Sequence, residues 1–250
     1  MRLNLIYRRQ ICALILSLMK KTYLIAIVLG LVQTGWAVSV LPFTESFEVN
    51  SSGWVNASSL AVSHSTIGGH DNSGHVFTTG TVDTSGFGPI IFRGNSAAGA
   101  SAGAFVGNWL SAGVSEFSAY VWHNGPVALN FYARFDKGAG SAASSNNFLV
   151  APSTWTQISI PLLDSLGTSG QIFQSYGAAG PGGFNSIFSD IKNIQIALGA
   201  AQDASTHGQT YTVGLDSVSI VPEPGTGMLL MLGLGLVASF RRFSRRSENP

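Results

Sequence analysis

The stretch Phe117-Ser118-Ala119-Tyr120-Val121-Trp122-His123 alternates apolar and polar positions with period two. Val127-Ala128-Leu129-Asn130-Phe131-Tyr132-Ala133-Arg134-Phe135 does so again. That period sends successive side chains to opposite faces of a β-strand. Asn124-Gly125-Pro126 between them is a turn signal, so the two segments predict a β-hairpin. Further strands are predicted at 75–79, 90–93, 103–106, 147–150, 156–161, 191–198 and 211–220, with 184–190 a short helix or a loop. The Gly/Ala/Ser tracts 96–104, 138–146 and 177–183 read as loops or as small-residue edge strands. In the last strand Tyr211, Val213 and Leu215 share a face, but the apolar set then moves to Val218 and Ile220. This change of parity predicts a bulge near Asp216-Ser217. Many short strands with almost no helical periodicity predict an all-β fold. Its architecture is a two-sheet antiparallel β-sandwich of jelly-roll type over residues 38–221.

The two ends of the chain carry a different pattern. Lys20-Lys21 precede an apolar run, Tyr23 to Val32, and small residues follow at Gly35 and Ala37. A basic start, a short apolar core and a small-residue site describe a secretory signal peptide over residues 1–37, with Met19 readable as a start of its own. At the other end, Pro222-Glu223-Pro224 is followed by an apolar run over about residues 226–240. Arg241, Arg242, Arg245 and Arg246 come next. A helix of about 15 residues spans roughly 22 Å, short of a ~30 Å hydrocarbon core but within reach of snorkelling arginines. The arginine cluster predicts a cytoplasmic C-terminus and a membrane-inserted helix.

Composition sharpens this division. Of 250 residues only 10% are charged, and 13 Lys+Arg balance 12 Asp+Glu. Residues 38–221 hold ten acids against four bases, a net −6, and the surplus of bases lies at the two ends. A domain without a basic field is no nucleic-acid binder. The single cysteine, Cys12, lies in the predicted leader, so the exported part has no thiol chemistry. The low charge of the domain favours a neutral polymer over a strongly acidic one.

The C-terminal triplet, short helix and arginine cluster resemble the PEP-CTERM sorting signal of Gram-negative bacteria, over residues 222–250. The resemblance implies export by the Sec translocon, transient anchoring in the inner membrane and recognition by an exosortase. It also implies a final place at the cell surface or outside the cell, commonly alongside exopolysaccharide.

Within the domain, Ser46-Phe47-Glu48, Gly53-Trp54, Thr154–Pro161, Ile194–Leu198 and Tyr211–Ile220 occur in that order. This set resembles galactose-binding-like and carbohydrate-binding-module jelly rolls. The resemblance implies that Glu48 and Asp216 lie on neighbouring strands and help hold a structural Ca2+. Asp71, in the loop Gly68-Gly69-His70-Asp71-Asn72-Ser73-Gly74, is a candidate third oxygen ligand. The other reading of these acids is as hydrogen-bonded strand-end residues.

If Phe117, Ala119, Val121, Leu129, Phe131 and Ala133 face the core, then Ser118, Tyr120, Trp122, Asn130, Tyr132 and Arg134 share the opposite face. Three rings, an amide and a guanidinium suit a sugar, which offers C–H faces for stacking and hydroxyls for hydrogen bonds. A covering layer would instead make these rings ordinary core. His64, His70 and His75 match no metal-ligand spacing. No nucleophile elbow, phosphate loop or marked carboxylate pair occurs, so the sequence points away from an enzyme. The expected function is a non-catalytic module for extracellular polysaccharide. The alternatives are a structural matrix or adhesive protein and, third, a jelly-roll carbohydrate-active enzyme.

Overall fold

The computed structural model describes residues 42–84, 89–199 and 202–223. The predicted signal peptide, the apolar run near 226–240, Pro224 and the four terminal arginines lie outside the described residues. Among the described residues no helix is long and apolar enough to cross a membrane.

Among the described residues twelve strands make two antiparallel sheets. The first contains β2 (Ser63–Ser65), β3 (His75–Thr81), β12 (Thr210–Pro222), β5 (Val114–His123) and β9 (Thr156–Pro161) in that order. Beside them β1 (Phe43–Glu45) pairs with the far half of β12. The second runs β10 (Phe173–Ser175), β7 (Ser141–Ser145), β6 (Leu129–Gly138), β11 (Asn193–Leu198) and β4 (Ile90–Asn95), with β8 (Phe148–Val150) also on β6. The single α-helix among the described residues, α1 (Phe184–Phe188), is five residues long. This is the predicted all-β sandwich.

Alternation fixes the core. Phe117, Ala119 and Val121 of β5 and Leu129, Phe131, Ala133 and Phe135 of β6 are all buried, as are Ile194, Ile196 and Leu198 of β11. At one end Trp109, Phe117, Phe135, Phe173 and Phe188 pack together, Trp109 stacked on Phe117 and the other pairs edge to face or tilted, with centroids 5.2–6.3 Å apart. Trp54 is fully buried, and its Nε1 donates to Ser101 Oγ at 2.9 Å.

The predicted hairpin does not form. β5 and β6 lie in different sheets, and residues 124–128 cross between them. Both arrangements bury the same alternate residues, so the pattern could not separate them. Asn124 decides it: its N–H donates to Thr212 O and its Oδ1 accepts from the Thr212 N–H, which prolongs β5 along β12. His123 then turns inward, accepting from the Gly125 N–H at its Nδ1 and donating from Nε2 to Val150 O, both at 3.0 Å. Five linking residues are too many for a two-residue hairpin turn and enough to span the ~10 Å between sheets.

Other local differences follow from backbone pairing. Residues 103–106 form no strand; a 3-10 turn, Ala100–Gly103, stands there instead. Within the tract 138–146, β7 is an inner strand, bonded to both β6 and β10. The parity change in β12 is a bulge. Its register against β5 shifts between Asp216 and Ser219, and Ser217 sits at φ 47°.

Candidate functional site

Two places on the sandwich concentrate chemistry, on the outer faces of opposite sheets. On the first sheet the bulge aims Asp216 outward, yet the residue is 0% exposed. The loop 66–74 between β2 and β3 covers it. Asp216 Oδ2 accepts from the His70 N–H at 2.8 Å and from Ser73 Oγ at 3.2 Å. Its Oδ1 accepts from the N–H and hydroxyl of Ser217 at 2.6 and 3.3 Å. Glu48 accepts from the Gly74 N–H at 3.2 Å, and His64 Nε2 meets Phe47 O at 2.6 Å. The same loop is held down by rings. His70 stacks on Tyr120 with centroids 3.4 Å apart, and Trp155 Nε1 donates to Gly68 O at 3.0 Å.

Glu48 and Asp216 therefore both clasp one loop, and Asp71 belongs to that loop. Asp71 itself is exposed, and a hydrogen bond from Ser73 holds its carboxyl below the usual carboxylate range. Burial pushes the Asp216 carboxyl upward, against its hydrogen bonds from His70, Ser217 and Ser73. Among the described residues Asp216 forms no ion pair. A methyl group on Gly69 would lie 2.5 Å from Asp216 Oδ2, 2.7 Å from Gly74 O and 2.9 Å from Ser73 Oγ, so three oxygens converge on this glycine. The oxygens of Asp216, Gly74 and Ser73 are hard donors of the kind a divalent cation takes. No group of three His, Cys, Asp or Glu side chains gathers for a metal among the described residues, so backbone and hydroxyl oxygens would have to complete any shell.

The five residues proposed from sequence as one ligand face are divided. Tyr120 and Trp122 lie on the first sheet; Asn130, Tyr132 and Arg134 lie on the second. The physical reason is the crossing at 124–128, which carries β6 to the other layer. On the first sheet Trp122 gains a different neighbour, Trp155, at 6.3 Å, and both stand over Gly214, where a Cβ would come within 2.8 Å of Trp155 Cη2.

On the second sheet the register aligns polar side chains across three strands. Gln195 of β11 faces Arg93 of β4 on one side and Arg134 of β6 on the other. In the adjoining row Asn193 lies between Asn95 and Asp136, and on the other side Ala197 faces Tyr132. Directly opposed residues share a face, so these groups form one surface. Gln195 is only 3% exposed although it points away from the core. Gln195 Oε1, Asn193 Oδ1 and Arg93 Nε are buried and have no hydrogen-bond partner. Buried polar atoms are nearly always paired with protein or ordered water, so these three set this face apart from the rest of the sheet.

Sequence reasoning missed Arg93, Asn193 and Gln195. The alternation Asn193-Ile194-Gln195-Ile196 was the available signal, and it reads as polar residues facing water. Their burial follows from neighbours on β4 and β6, which are remote in sequence.

A family model describing the PEP-CTERM protein-sorting motif matches residues 221–246. Its first residues are ordered: Pro222 closes β12 opposite Val114, and the Glu223 N–H donates to Gly113 O at 2.8 Å. No curated protein matches the chain. Among solved structures it is similar to an exo-beta-agarase, at 16% identity and a TM-score of 0.48, over 72% of this chain and 24% of that one. It is also similar to a family 11 carbohydrate-binding module from Clostridium thermocellum in complex with a beta-1,3-1,4-mixed-linked tetrasaccharide. That match has 12% identity, a TM-score of 0.41, and covers 72% and 95% of the two chains. A third is a xylan-binding domain from carbohydrate-binding-module family 22, at 12% identity, a TM-score of 0.39, and 72% and 94% coverage. The chain spans about a quarter of the agarase chain. The protein is a two-sheet antiparallel β-sandwich that carries a PEP-CTERM sorting motif at its C-terminus.

Proposed function

We propose that this is a surface polysaccharide-binding protein whose binding face is the outer surface of the second sheet. The observation that carries the reading is the polar row Arg93, Gln195 and Arg134, with Asn95, Asn193 and Asp136 beside it, on one outer sheet face. Sugar hydroxyls both donate and accept, so the half-buried side chains of Arg93, Asn193 and Arg134 offer them partners on one surface. Tyr132, two residues along β6 from Arg134, adds a ring against which a sugar's C–H face can lie. Asn130 and Arg134 stand on the same strand face. No catalytic step is assigned to these groups. The sorting motif supports a secreted location reached through exosortase processing, and the likeness to carbohydrate-binding modules agrees with a polysaccharide ligand.

A calcium ion is proposed at the clasp. Asp216 and the Gly74 carbonyl, with Glu48 alongside, are the residues that would hold it, and its charge would offset the buried, unpaired carboxylate. Its role would be to fix the loop 66–74 and with it the start of the domain against the last strand.

The test is affinity electrophoresis of the full-length protein, in mild detergent, through gels containing xylan, mixed-linkage glucan or agarose. Retardation that is lost in Asn193→Ala and Tyr132→Ala, but kept in Trp122→Ala, supports the assignment to the second sheet. Retardation lost only in Trp122→Ala moves the site to the first sheet. A chain that migrates freely through these neutral gels and also fails to bind a charged polysaccharide favours a matrix protein without a specific ligand.

A further inference from the structure

Resting on the polysaccharide reading of the second sheet, we infer that its ligand is anionic: a polysaccharide bearing carboxylate or sulfate groups, gripped by Arg93 and Arg134. The domain between residues 38 and 221 has only four basic residues. Two are occupied elsewhere. Lys137 Nζ donates to the carbonyl and hydroxyl of Ser186 at 3.3 and 2.9 Å, and Lys192 pairs with Asp190 at 2.6 Å. The other two are both arginines, on one face of one sheet, with Gln195 between them. Two strand spacings put their backbones about 10 Å apart, within reach of neighbouring groups on one polymer chain.

Neither guanidinium is neutralised well. Arg93 takes part in neither ion pair found among the described residues, and its Nε–H is buried and unmet. Arg134 reaches Asp136 only at 3.8 Å, too long for a hydrogen bond. Asp136 is the acid on this face, and its Oδ1 is held by the Gly138 N–H at 2.6 Å. Two planar guanidinium forks match the paired oxygens of carboxylate or sulfate, which a lysine could not do. The half-buried Asn193 in the adjoining row offers an amide to a sugar hydroxyl. Anion contacts and hydroxyl contacts on one surface describe an acidic sugar. The net −6 of the domain argues the other way only as an average. Charges farther off than ~8 Å are screened at physiological salt, so the local pair governs contact.

The test uses matched polymers with the full-length protein in mild detergent. Binding to polygalacturonate is compared with its highly methyl-esterified form, and binding to dextran sulfate with dextran. The expected result is binding about tenfold or more tighter to one charged member at ~0.1 M salt, weakening as salt rises. Which pair shows it tells carboxylate from sulfate. Arg93→Gln and Arg134→Gln should each lose about tenfold on the charged polymer and little on the neutral one, with Arg93→Lys intermediate. Equal binding to both members, or a preference that survives in the Arg93→Gln/Arg134→Gln double variant, overturns the inference. If equal binding is lost in Asn193→Ala, the polysaccharide reading stands and only the charge inference falls. If nothing binds, both fall.

Discussion

Gln195→Met separates stability from binding. Gln195 sits on β11 between Arg93 and Arg134, 3% exposed, with its Oε1 unmet. A buried unsatisfied acceptor costs about 1–3 kcal/mol. Methionine has a similar length and volume and no such acceptor, so the substitution removes the cost without opening a cavity. For a domain of this size each kcal/mol moves the melting temperature by roughly 2–4 °C. Gln195→Met should therefore melt several degrees above the parent while losing polysaccharide retardation. Differential scanning calorimetry of the full-length chain, paired with affinity electrophoresis, reads both quantities from one preparation. An Oε1 that was hydrogen-bonded would instead give a fall in melting temperature. A melting temperature that falls, or a variant that still binds, would refute the idea that Gln195 is kept polar for a ligand.

The remaining predictions bear on the clasp and the core. Millimolar Ca2+ added after EDTA should raise the melting temperature of the parent chain but not of Asp216→Ala; an equal rise in both would place the ion elsewhere. Gly69→Ala pushes a methyl group to 2.5 Å from Asp216 Oδ2 and should cost about 1–3 kcal/mol, seen as a lower denaturant midpoint. Ser101→Ala leaves the buried Trp54 Nε1–H without its acceptor and should cost about 1–3 kcal/mol in the same assay. His123 is wholly buried and neutral, and burial lowers its pKa below the ordinary 6.5. The unfolded chain therefore binds more protons just below pH 6.5, so stability rises with pH through that window and is lost as pH falls. Replacing His123 by Gln should flatten that part of the stability–pH curve, and an unchanged slope would show that another group supplies it.

Several features were legible because their signal is local. A sorting motif is read along the chain as a triplet, an apolar run and a basic cluster, and the match at 221–246 needs no tertiary contact. Period-two alternation named the buried residues of β5 and β6, and the parity change in 211–220 announced the bulge at Ser217. The strands β7 and β10 were harder. Ser141–Ser145 is all serine and alanine, and it is a strand because its backbone pairs with β6 and β10, not because its side chains demand it.

The sequence by itself determined an all-β sandwich, which residues of each long strand face its core, and the address at the C-terminus. Only the tertiary structure decided which sheet each strand joins. Alternation says which face of a strand is buried and is the same whatever strand lies beside it. Partner choice depends on contacts such as Asn124 with Thr212, 88 residues apart. That choice sent Tyr132 and Arg134 away from Tyr120 and Trp122, and brought Arg93, Gln195 and Arg134 from three separate segments into one row. It likewise laid the loop 66–74 over Asp216 and turned an outward carboxylate into a buried one.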